Sequence, residues 1–356
     1  MDGDSRSQPG SPHRLIVHER DERYFMTRAL QALLKPWKPS LVKHSKQPDG
    51  PLRLRPPKRS RKYCNIQERE IQGVWVYEFT SKFPTQGKHA SKDQPPKRIL
   101  YYCGGGWQMP PSAQHWDLCT ELARRVSNTT VTLVAYPLAP QNPASVAFPQ
   151  IESVYKALLK DAAEAGEKVI VAGDSSGGNL ALAVVTWTLM NQKNGAAEAP
   201  AAILAISPTT DLRHEVAEIK EAEKLDPILT HAFVNATAST WCPGPERPGT
   251  GEITVTEPSG RSYHLDWGFK DPRVSPIQAD LDVLARHGVK VHGVIGSYDV
   301  LAPEAAAFVE ELKAQGVEGE WLSWKGQMHC FPLTFRYGLK EAAQGVDWII
   351  DMLNKV

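Results

Sequence analysis

From residue 74 onward, short apolar runs alternate with longer stretches in which apolar residues recur at helical spacing. Short runs rich in Val, Ile and Tyr are typical of strands buried on both faces, and the longer stretches are typical of helices. The predicted strands cover residues 74–79, 99–102, 132–135, 169–172, 202–206, 289–295 and 320–324. The predicted helices cover residues 112–125, 151–165, 177–192, 304–315 and 340–353. This alternation predicts an α/β fold with a mostly parallel central sheet and helices on both faces.

The N-terminal part of the chain lacks this alternation. Residues 1–20 are polar and contain Gly and Pro, so we expect a disordered tail there. Residues 24–37 place Phe25, Leu30, Leu33 and Leu34 near one face at helical spacing. We therefore interpret residues 21–62 as an amphipathic cap helix followed by a basic linker.

A second irregular stretch lies between the predicted strands at 202–206 and 289–295. Residues 226–240 have some helical character, whereas residues 243–260 are rich in Gly and Pro. A loop of this length inside a compact domain usually has a function, such as a lid or a binding element. We expect residues 213–270 to form a cap or lid on a core made of residues 63–212 and 271–356.

Composition narrows the class of protein. Hydrophobic residues make up 41% of the 356 residues and charged residues 23%, which is typical of a soluble globular protein. The 5 cysteines are an odd number with no C-x-x-C pair, so we expect neither a disulfide scaffold nor a cysteine-rich zinc site. No apolar run approaches the roughly 20 residues that a membrane-spanning helix needs. These features predict a cytoplasmic protein with no integral membrane segment.

Charge is distributed unevenly along the chain. Residues 1–62 contain 15 Lys and Arg but 6 Asp and Glu, and the basic run is densest at residues 52–62. Such a run could contact nucleic acid, but no aromatic residue is interleaved with the basic ones for stacking on bases. We interpret it as a solvated linker that crosses the surface of an acidic domain, and we expect no nucleic-acid partner.

The first chemical motif is the sequence Gly173-Asp174-Ser175-Ser176-Gly177. It follows a β-branched predicted strand and precedes a predicted helix, which is the context of a nucleophile elbow, where a serine lies on a sharp strand-to-helix turn. A position at a helix N-terminus also favours the negative charge that develops beside the serine. The alternative is a structural Gly-rich turn. The context favours Ser175 as a nucleophile.

The second motif is the loop from Cys103 to Trp107, which contains Gly104, Gly105 and Gly106 after a predicted strand. Glycines leave backbone N–H groups accessible, as an oxyanion hole requires. The alternative is a flexible turn.

In an elbow hydrolase, an acid and a histidine follow the serine along the chain. Asp299 lies directly after a predicted strand, and His329 lies in a loop after the last one. Asp299 could instead cap the helix that starts near Pro303, and Glu304 is the rival acid. His329 could also be an ordinary surface or core histidine. The order Ser175, Asp299, His329 favours the catalytic interpretation.

Several of these motifs also occur together, in order, in one family. The hormone-sensitive-lipase-like branch of the α/β-hydrolases has motifs that resemble GDSSGGNLAL, CGGGW, YPLAP, DPRVSP, GSYDVLAP and MHCF of this chain. The amino-acid sequence of these segments is most similar to fungal members. The resemblance covers about residues 63–356. Cys103 stands where the family has a His that braces the glycine loop, and Ser176 stands where the family usually has Ala.

The resemblance implies an α/β-hydrolase fold with a helical cap. It implies Ser175 as nucleophile, His329 as general base and Asp299 as the acid that orients it. It further implies that the backbone N–H groups of Gly105, Gly106 and Ser176 form the oxyanion hole. No metal or organic cofactor is implied.

The predicted function is hydrolysis of a carboxylic ester of a bulky hydrophobic small molecule through an acyl-enzyme. One alternative is a biosynthetic catalyst of fungal secondary metabolism, which would cyclise or condense a polyketide- or peptide-derived intermediate at the same site. A non-catalytic binding protein is a further alternative. The sequence leaves the oligomeric state undecided between a monomer and a homodimer. The residues predicted to line the substrate pocket are Trp107, Met109, Leu301, Phe331, Phe25 and Trp241.

Overall fold

The computed structural model describes residues 15–38, 52–83, 95–192, 199–244, 254–256, 262–264 and 267–356. The strands are β1 (Leu15–Arg20), β2 (Cys64–Ile71), β3 (Val74–Ser81), β4 (Lys97–Tyr102), β5 (Thr129–Ala135), β6 (Lys168–Asp174), β7 (Ala202–Ile206), β8 (Thr254–Thr256), β9 (Ser262–His264), β10 (Lys290–Tyr298) and β11 (Gly319–Met328). The α-helices are α1 (Phe25–Leu34), α2 (Lys58–Tyr63), α3 (Ala113–Arg125), α4 (Ala144–Glu164), α5 (Ser176–Met190), α6 (Ile219–Leu225), α7 (His231–Trp241), α8 (Asp282–Arg286), α9 (Ala302–Ala314) and α10 (Lys340–Lys355). Short 3₁₀ helices cover Lys35–Trp37, Pro276–Gln278 and Phe331–Tyr337.

Nine strands form one central sheet in the order β1-β11-β10-β7-β6-β4-β5-β3-β2. All neighbours are parallel except β5–β3 and β3–β2, which are antiparallel. The register places Tyr102 opposite Gly173 and Asp174 opposite Ile206, so β4, β6 and β7 end side by side. In sheets of this kind, ligands bind outside the carboxyl ends of the strands. The sheet topology thereby gathers the loops that follow these strands at one edge.

The core is built from apolar strands and from a helix that is apolar on all sides. The parallel strands β6 and β7 are buried almost throughout, and α5 packs against β4, β6 and β7 with most of its residues inaccessible to solvent. The fold class is therefore confirmed as α/β with a mostly parallel sheet flanked by helices. All the predicted strands and helices have counterparts. The elements that were not predicted are β1, β2, β8, β9, α2, α6 and α8.

The prediction of a disordered tail is wrong for residues 15–20. They form β1, which pairs in parallel with β11 from Leu15 opposite Gly319 to Arg20 opposite Trp324. Leu15 is buried, and the Arg20 guanidinium lies over the Trp324 ring, 4.9 Å from its centroid. The tertiary contacts of an edge strand outweigh the polar composition of the segment. Residues 1–14 lie outside the described part of the chain.

Helix α1 forms where the apolar pattern predicts it, but its buried face is centred on polar residues, and only Leu30 and Leu34 of the predicted apolar set are partly buried. Phe25 and Leu33 are 78% and 68% exposed, whereas Thr27 and Gln31 are buried. The Thr27 hydroxyl donates to Glu341 Oε2 at 2.6 Å. The buried Glu341 carboxylate requires polar partners, and α1 supplies them from its polar face.

The basic run is not simply a linker, because its last residues form α2. Arg61 and Arg53 approach Glu68 at 3.1 and 3.5 Å, and Arg59 approaches Asp117 at 3.4 Å. All three arginines are more than half exposed, so these pairs contribute little to stability. These arginines pair with Glu68 and Asp117, and the interpretation of the whole run as a solvated linker across an acidic domain stays a prediction.

The predicted cap or lid region contains α6, α7 and the separate antiparallel pair β8–β9. Residues 245–253, 257–261 and 265–266 of this region, and residues 39–51 of the N-terminal segment, lie outside the described residues. Across the parts of the chain that the structure describes, no helix is long and apolar enough to cross a membrane.

Candidate active site

Ser175 occupies the turn between β6 and α5. Its backbone has φ 52° and ψ −122°, a left-handed conformation that costs energy for a residue with a side chain. A Cβ atom at Gly177 would overlap the carbonyl of Tyr102, so the helix can approach β4 this closely only with glycine there. The Ser175 N–H donates to the Ile206 carbonyl at 2.8 Å. The local sequence thus folds into a sharp turn that presents Ser175 at the sheet edge.

Asp299 and His329 come from the ends of two neighbouring strands, β10 and β11. His329 Nδ1 lies 2.8 Å from Asp299 Oδ2. The other carboxylate oxygen, Oδ1, accepts the Leu301 N–H at 2.9 Å. Asp299 is fully buried, so its carboxylate is held in place and can orient the imidazole.

The environment of His329 favours its protonated form. Burial disfavours the charged imidazole, but the adjacent Asp299 carboxylate outweighs that effect and raises the pKa of His329 well above its usual value. A histidine that binds a proton readily is suited to act as a base.

Ser175 and His329 line the same cavity. Among the described residues, no hydrogen bond joins the two side chains, and His329 Nε2 instead lies 3.4 Å from Cys330 Sγ. Hydrogen bonds between catalytic groups are often long before substrate binds and tighten only in the complex. Burial raises the pKa of Cys330 to about 11, so its thiol stays protonated at neutral pH.

The glycine loop lies beside the elbow. Gly105 and Gly106 have φ values of 125° and 60°, which favour glycine. Within the described ranges, the N–H groups of Gly105, Gly106 and Ser176 have no hydrogen-bond acceptor. The Trp107 N–H donates to Ser176 Oγ at 3.2 Å and so links the loop to the start of α5. Three unpaired donors near a candidate nucleophile are what an oxyanion requires.

The sequence analysis missed the residues that brace this loop. Asp174 Oδ1 accepts the Gly104 N–H at 3.0 Å and the Tyr101 hydroxyl at 2.7 Å, while Oδ2 lies 3.1 Å from His115 Nε2. His115 Nδ1 accepts the Ser112 N–H at 2.8 Å, so Nε2 carries the proton and donates. Burial opposes ionisation of Asp174, but His115 together with the hydrogen bonds from Tyr101 and Gly104 outweighs burial and lowers the pKa of Asp174. Cys103, which stands where the family has the bracing His, is the signal in the sequence that another residue must brace the glycine loop.

The cavity has a volume of about 210 Å³ and mostly apolar walls. Among the predicted pocket residues, Trp107, Met109 and Leu301 line it. Three others do not. Trp241 stacks behind Trp107 with ring centroids 5.5 Å apart, Phe331 packs against Trp324, and Phe25 is exposed on α1. These three predictions are wrong because the rings fill the core or face solvent.

Apolar wall residues that the sequence did not predict come from the segment before α7, from α7 itself and from the 3₁₀ helix after His329: Ile228, Leu229, Phe233, Val234 and Leu333.

The rival acid Glu304 pairs with a different histidine. His214 Nδ1 lies 2.9 Å from Glu304 Oε1, and both side chains are buried. Burial raises the pKa of Glu304, and His214 partly offsets that effect. Asp226 also lies near the site, where its Oδ2 accepts the Val300 N–H at 2.8 Å. Burial and the charge of Asp299 raise the pKa of Asp226 to about 6.

Within the described residues, no group of three His, Cys, Asp or Glu side chains is placed to hold a metal ion.

Comparison with known proteins identifies the family. A family model described as alpha/beta hydrolase fold matches residues 99–333. The chain belongs to this family. An esterase of Acinetobacter venetianus is 28% identical to this hydrolase-fold chain over 70% of the chain and 71% of the relative. An esterase of Gibberella moniliformis is 27% identical over 68% and 69%, respectively. Since the bacterial and the fungal relative are equally distant, the fungal kinship stays a prediction.

Solved structures show the same hydrolase fold. A hormone-sensitive lipase from a metagenome library superposes with a TM-score of 0.70 at 21% identity, covering 94% of this chain and 99% of that one. An esterase/lipase from an uncultured bacterium superposes with a TM-score of 0.68 at 21% identity and the same coverage.

Proposed function

We propose that this hydrolase-fold chain is a carboxylic ester hydrolase that works through a serine acyl-enzyme. The observation that carries the proposal is the His329–Asp299 pair at 2.8 Å, in the same cavity as the elbow residue Ser175. The relatives named as esterases support the same reaction class. Ser175 would be the nucleophile, His329 the general base and Asp299 the acid that orients His329.

In the first half of the reaction, the Ser175 oxygen attacks the ester carbonyl carbon while His329 Nε2 takes the hydroxyl proton. The carbonyl π electrons move to the oxygen, and the N–H groups of Gly105, Gly106 and Ser176 stabilise the resulting oxyanion. As the C=O bond re-forms, the bond to the leaving alkoxide breaks, and His329 donates its proton to the alcohol.

In the second half, water replaces the alcohol. His329 takes one proton from the water, the hydroxide attacks the acyl carbon, and the Ser175 oxygen leaves with the proton from His329. The products are a free acid and the restored serine.

The cavity walls also bear on the substrate. The side chains Trp107, Leu229, Phe233 and Leu301 favour an apolar group beside the reacting carbon. A volume of about 210 Å³ lies below the roughly 300–1,000 Å³ typical of ligand sites. We therefore propose that the group enclosed by the described residues is a short to medium apolar chain. Any bulkier part of the substrate would lie outside this cavity.

The test combines a covalent probe with an isotope. Ser175→Ala should abolish both labelling by a fluorophosphonate and ester hydrolysis, whereas Ser239→Ala, at an exposed serine on α7, should label like the native protein. When a native reaction is run in ¹⁸O-water, the acid product should contain ¹⁸O. Labelling of Ser175→Ala at the native rate would disprove the nucleophile. An authentic product without ¹⁸O would favour cyclisation or condensation at the same site.

A further inference from the structure

The cavity wall contains a second histidine that is paired with a carboxylate and that the proposed reaction does not use. His214 lines the cavity, and its Nδ1 lies 2.9 Å from Glu304 Oε1 and 3.1 Å from Oε2. We propose that His214 is a substrate-recognition residue and that the preferred ester carries a hydroxyl group that hydrogen-bonds to His214 Nε2. This inference rests on the proposed ester hydrolysis and adds a class of substrate to it.

The pair is too deeply buried to be a surface ion pair. The side chains of His214 and Glu304 are 1% and 0% exposed. Burial of an imidazole and a carboxylate costs free energy that a pair of apolar side chains would not cost. Buried pairs of this kind in a cleft are candidates for function.

The ring of His214 has one nitrogen left for a ligand. Glu304 occupies Nδ1, and no hydrogen-bond partner among the described residues contacts Nε2. His115, which also lines the cavity, differs in this respect because Ser112 and Asp174 occupy both of its nitrogens. His214 is therefore equipped to bind a group that enters the cavity.

The backbone holds His214 in this position at a cost. Its φ of 50° lies in the left-handed region, and its carbonyl accepts a hydrogen bond from His231 Nε2 at 3.2 Å. Residues held in such conformations cluster at ligand sites, where the surrounding structure enforces them.

Two threonine hydroxyls of the cavity wall are already satisfied within the protein. Thr237 donates to the Val234 carbonyl at 2.8 Å, and Thr334 donates to the Phe331 carbonyl at 2.7 Å. These threonines present mainly methyl groups to a ligand.

A hydroxyl is the group that best fits Nε2. When His214 is neutral with its proton on Nδ1, Nε2 is an acceptor, and when His214 is protonated, Nε2 is a donor. A hydroxyl can donate to the first form and accept from the second, whereas a ketone or an ammonium group matches one form alone.

The experiment compares esters in which a hydroxyl replaces a methyl group of similar size. For the acyl side, the pair is p-nitrophenyl 3-hydroxybutanoate and p-nitrophenyl 3-methylbutanoate. For the alcohol side, it is 2-hydroxyethyl butanoate and propyl butanoate. In the native protein, the kcat/KM ratio of the hydroxyl ester to the methyl ester should be about tenfold or more in at least one pair, the scale of one net hydrogen bond.

Two variants test whether His214 causes that preference. His214→Asn suits the left-handed backbone, but its shorter side chain cannot reach as far, so the ratio should fall to about one. Glu304→Gln is the second variant, for the case in which His214→Asn does not fold. It keeps the His214 ring but changes the partner of Nδ1, so it should also lower the ratio. Thr237→Val is the control, because the hydroxyl that it removes is already bonded to Val234, and it should retain the native ratio.

The outcomes separate this inference from the proposed reaction. If the native protein hydrolyses p-nitrophenyl 3-methylbutanoate and propyl butanoate but the ratio is about one in both pairs, the hydroxyl inference is wrong while ester hydrolysis stands. The inference is also wrong if a native preference survives in a folded His214→Asn protein. If neither ester of either pair is hydrolysed, the proposed function itself fails.

Discussion

Two histidines that each pair with a buried carboxylate line one cavity, and their hydrogen bonds are nearly equal, 2.8 Å for His329–Asp299 and 2.9 Å for His214–Glu304. Both carboxylates belong to one short segment, since Asp299 follows β10 and Glu304 lies in the first turn of α9. The two imidazoles come from different places, His329 after β11 and His214 after β7. The comparison shows that the pair itself does not define a role. The role of each histidine depends on which group its second ring nitrogen, Nε2, contacts.

A third histidine sharpens this comparison. His115 also pairs with a buried carboxylate, Asp174, but the Ser112 N–H occupies its other nitrogen. It is therefore a positioning residue for the glycine loop. The three imidazoles thus have three proposed roles: His329 as the general base, His214 as a recognition residue and His115 as a brace.

The largest expected difference separates the two carboxylates. Asp299→Asn should lower kcat by about 10²–10⁴, because an amide cannot hold His329 in the required tautomer or stabilise its imidazolium. Glu304→Gln should lower kcat on p-nitrophenyl 3-methylbutanoate, which has no hydroxyl group, by at most roughly tenfold, the scale of one net hydrogen bond. Steady-state kinetics of both variants on the same p-nitrophenyl ester measure the contrast. The reverse ranking would assign Glu304 as the catalytic acid.

An intermediate effect is expected at the brace. His115→Phe keeps an aromatic ring at this position but leaves Asp174 without its imidazole partner, so the loop donors should move away from the oxyanion. We expect kcat to fall by about 10- to 100-fold, since small misplacements of catalytic groups cost this much, with a smaller change in KM. His287→Phe, at an exposed histidine outside the cavity, is the matched control. Equal kinetics for the two variants would refute the bracing role.

The smallest effect is a shift of the pH profile. The base must be neutral, so kcat/KM should rise with pH through the pKa of His329, which the Asp299 carboxylate raises against the effect of burial. In Asp299→Asn, the residual activity should have its acid limb at lower pH, because the main charge that stabilises the imidazolium is gone. Glu304→Gln should displace that limb less. A limb that stays at the native pH in Asp299→Asn would show that another group controls it.

Much of the fold and part of the candidate site follow from local sequence patterns. The strands β6 and β7 are apolar throughout because both of their faces are buried, and such runs are recognisable without structure. The turn at Ser175 needs glycine at Gly173 because a Cβ atom there would overlap the carbonyl of Gly177, four residues further along the chain. A steric requirement of this kind leaves a fixed residue spacing that the sequence itself displays.

Predicting that a segment forms a helix is different from predicting which face of the helix is buried. The pattern of residues 24–37 correctly predicts α1, since helical spacing is a local property. Which face packs depends on the partner, and here the buried Glu341 binds Thr27. Similarly, β1 has a mixed composition, and its place at the sheet edge depends on pairing with β11.

The amino-acid sequence by itself determines the order of strands and helices, the sharp turn at Ser175 and the accessible glycines of the neighbouring loop, because each depends on residues close together in the chain. Tertiary structure alone decides that Glu304 belongs to His214, that Asp174 is bonded to His115, and that Trp241 lies behind Trp107. These partners lie 90, 59 and 134 residues apart in the sequence. Contacts at such separations leave no spacing pattern, because they arise only when the loops of the folded sheet meet at its edge.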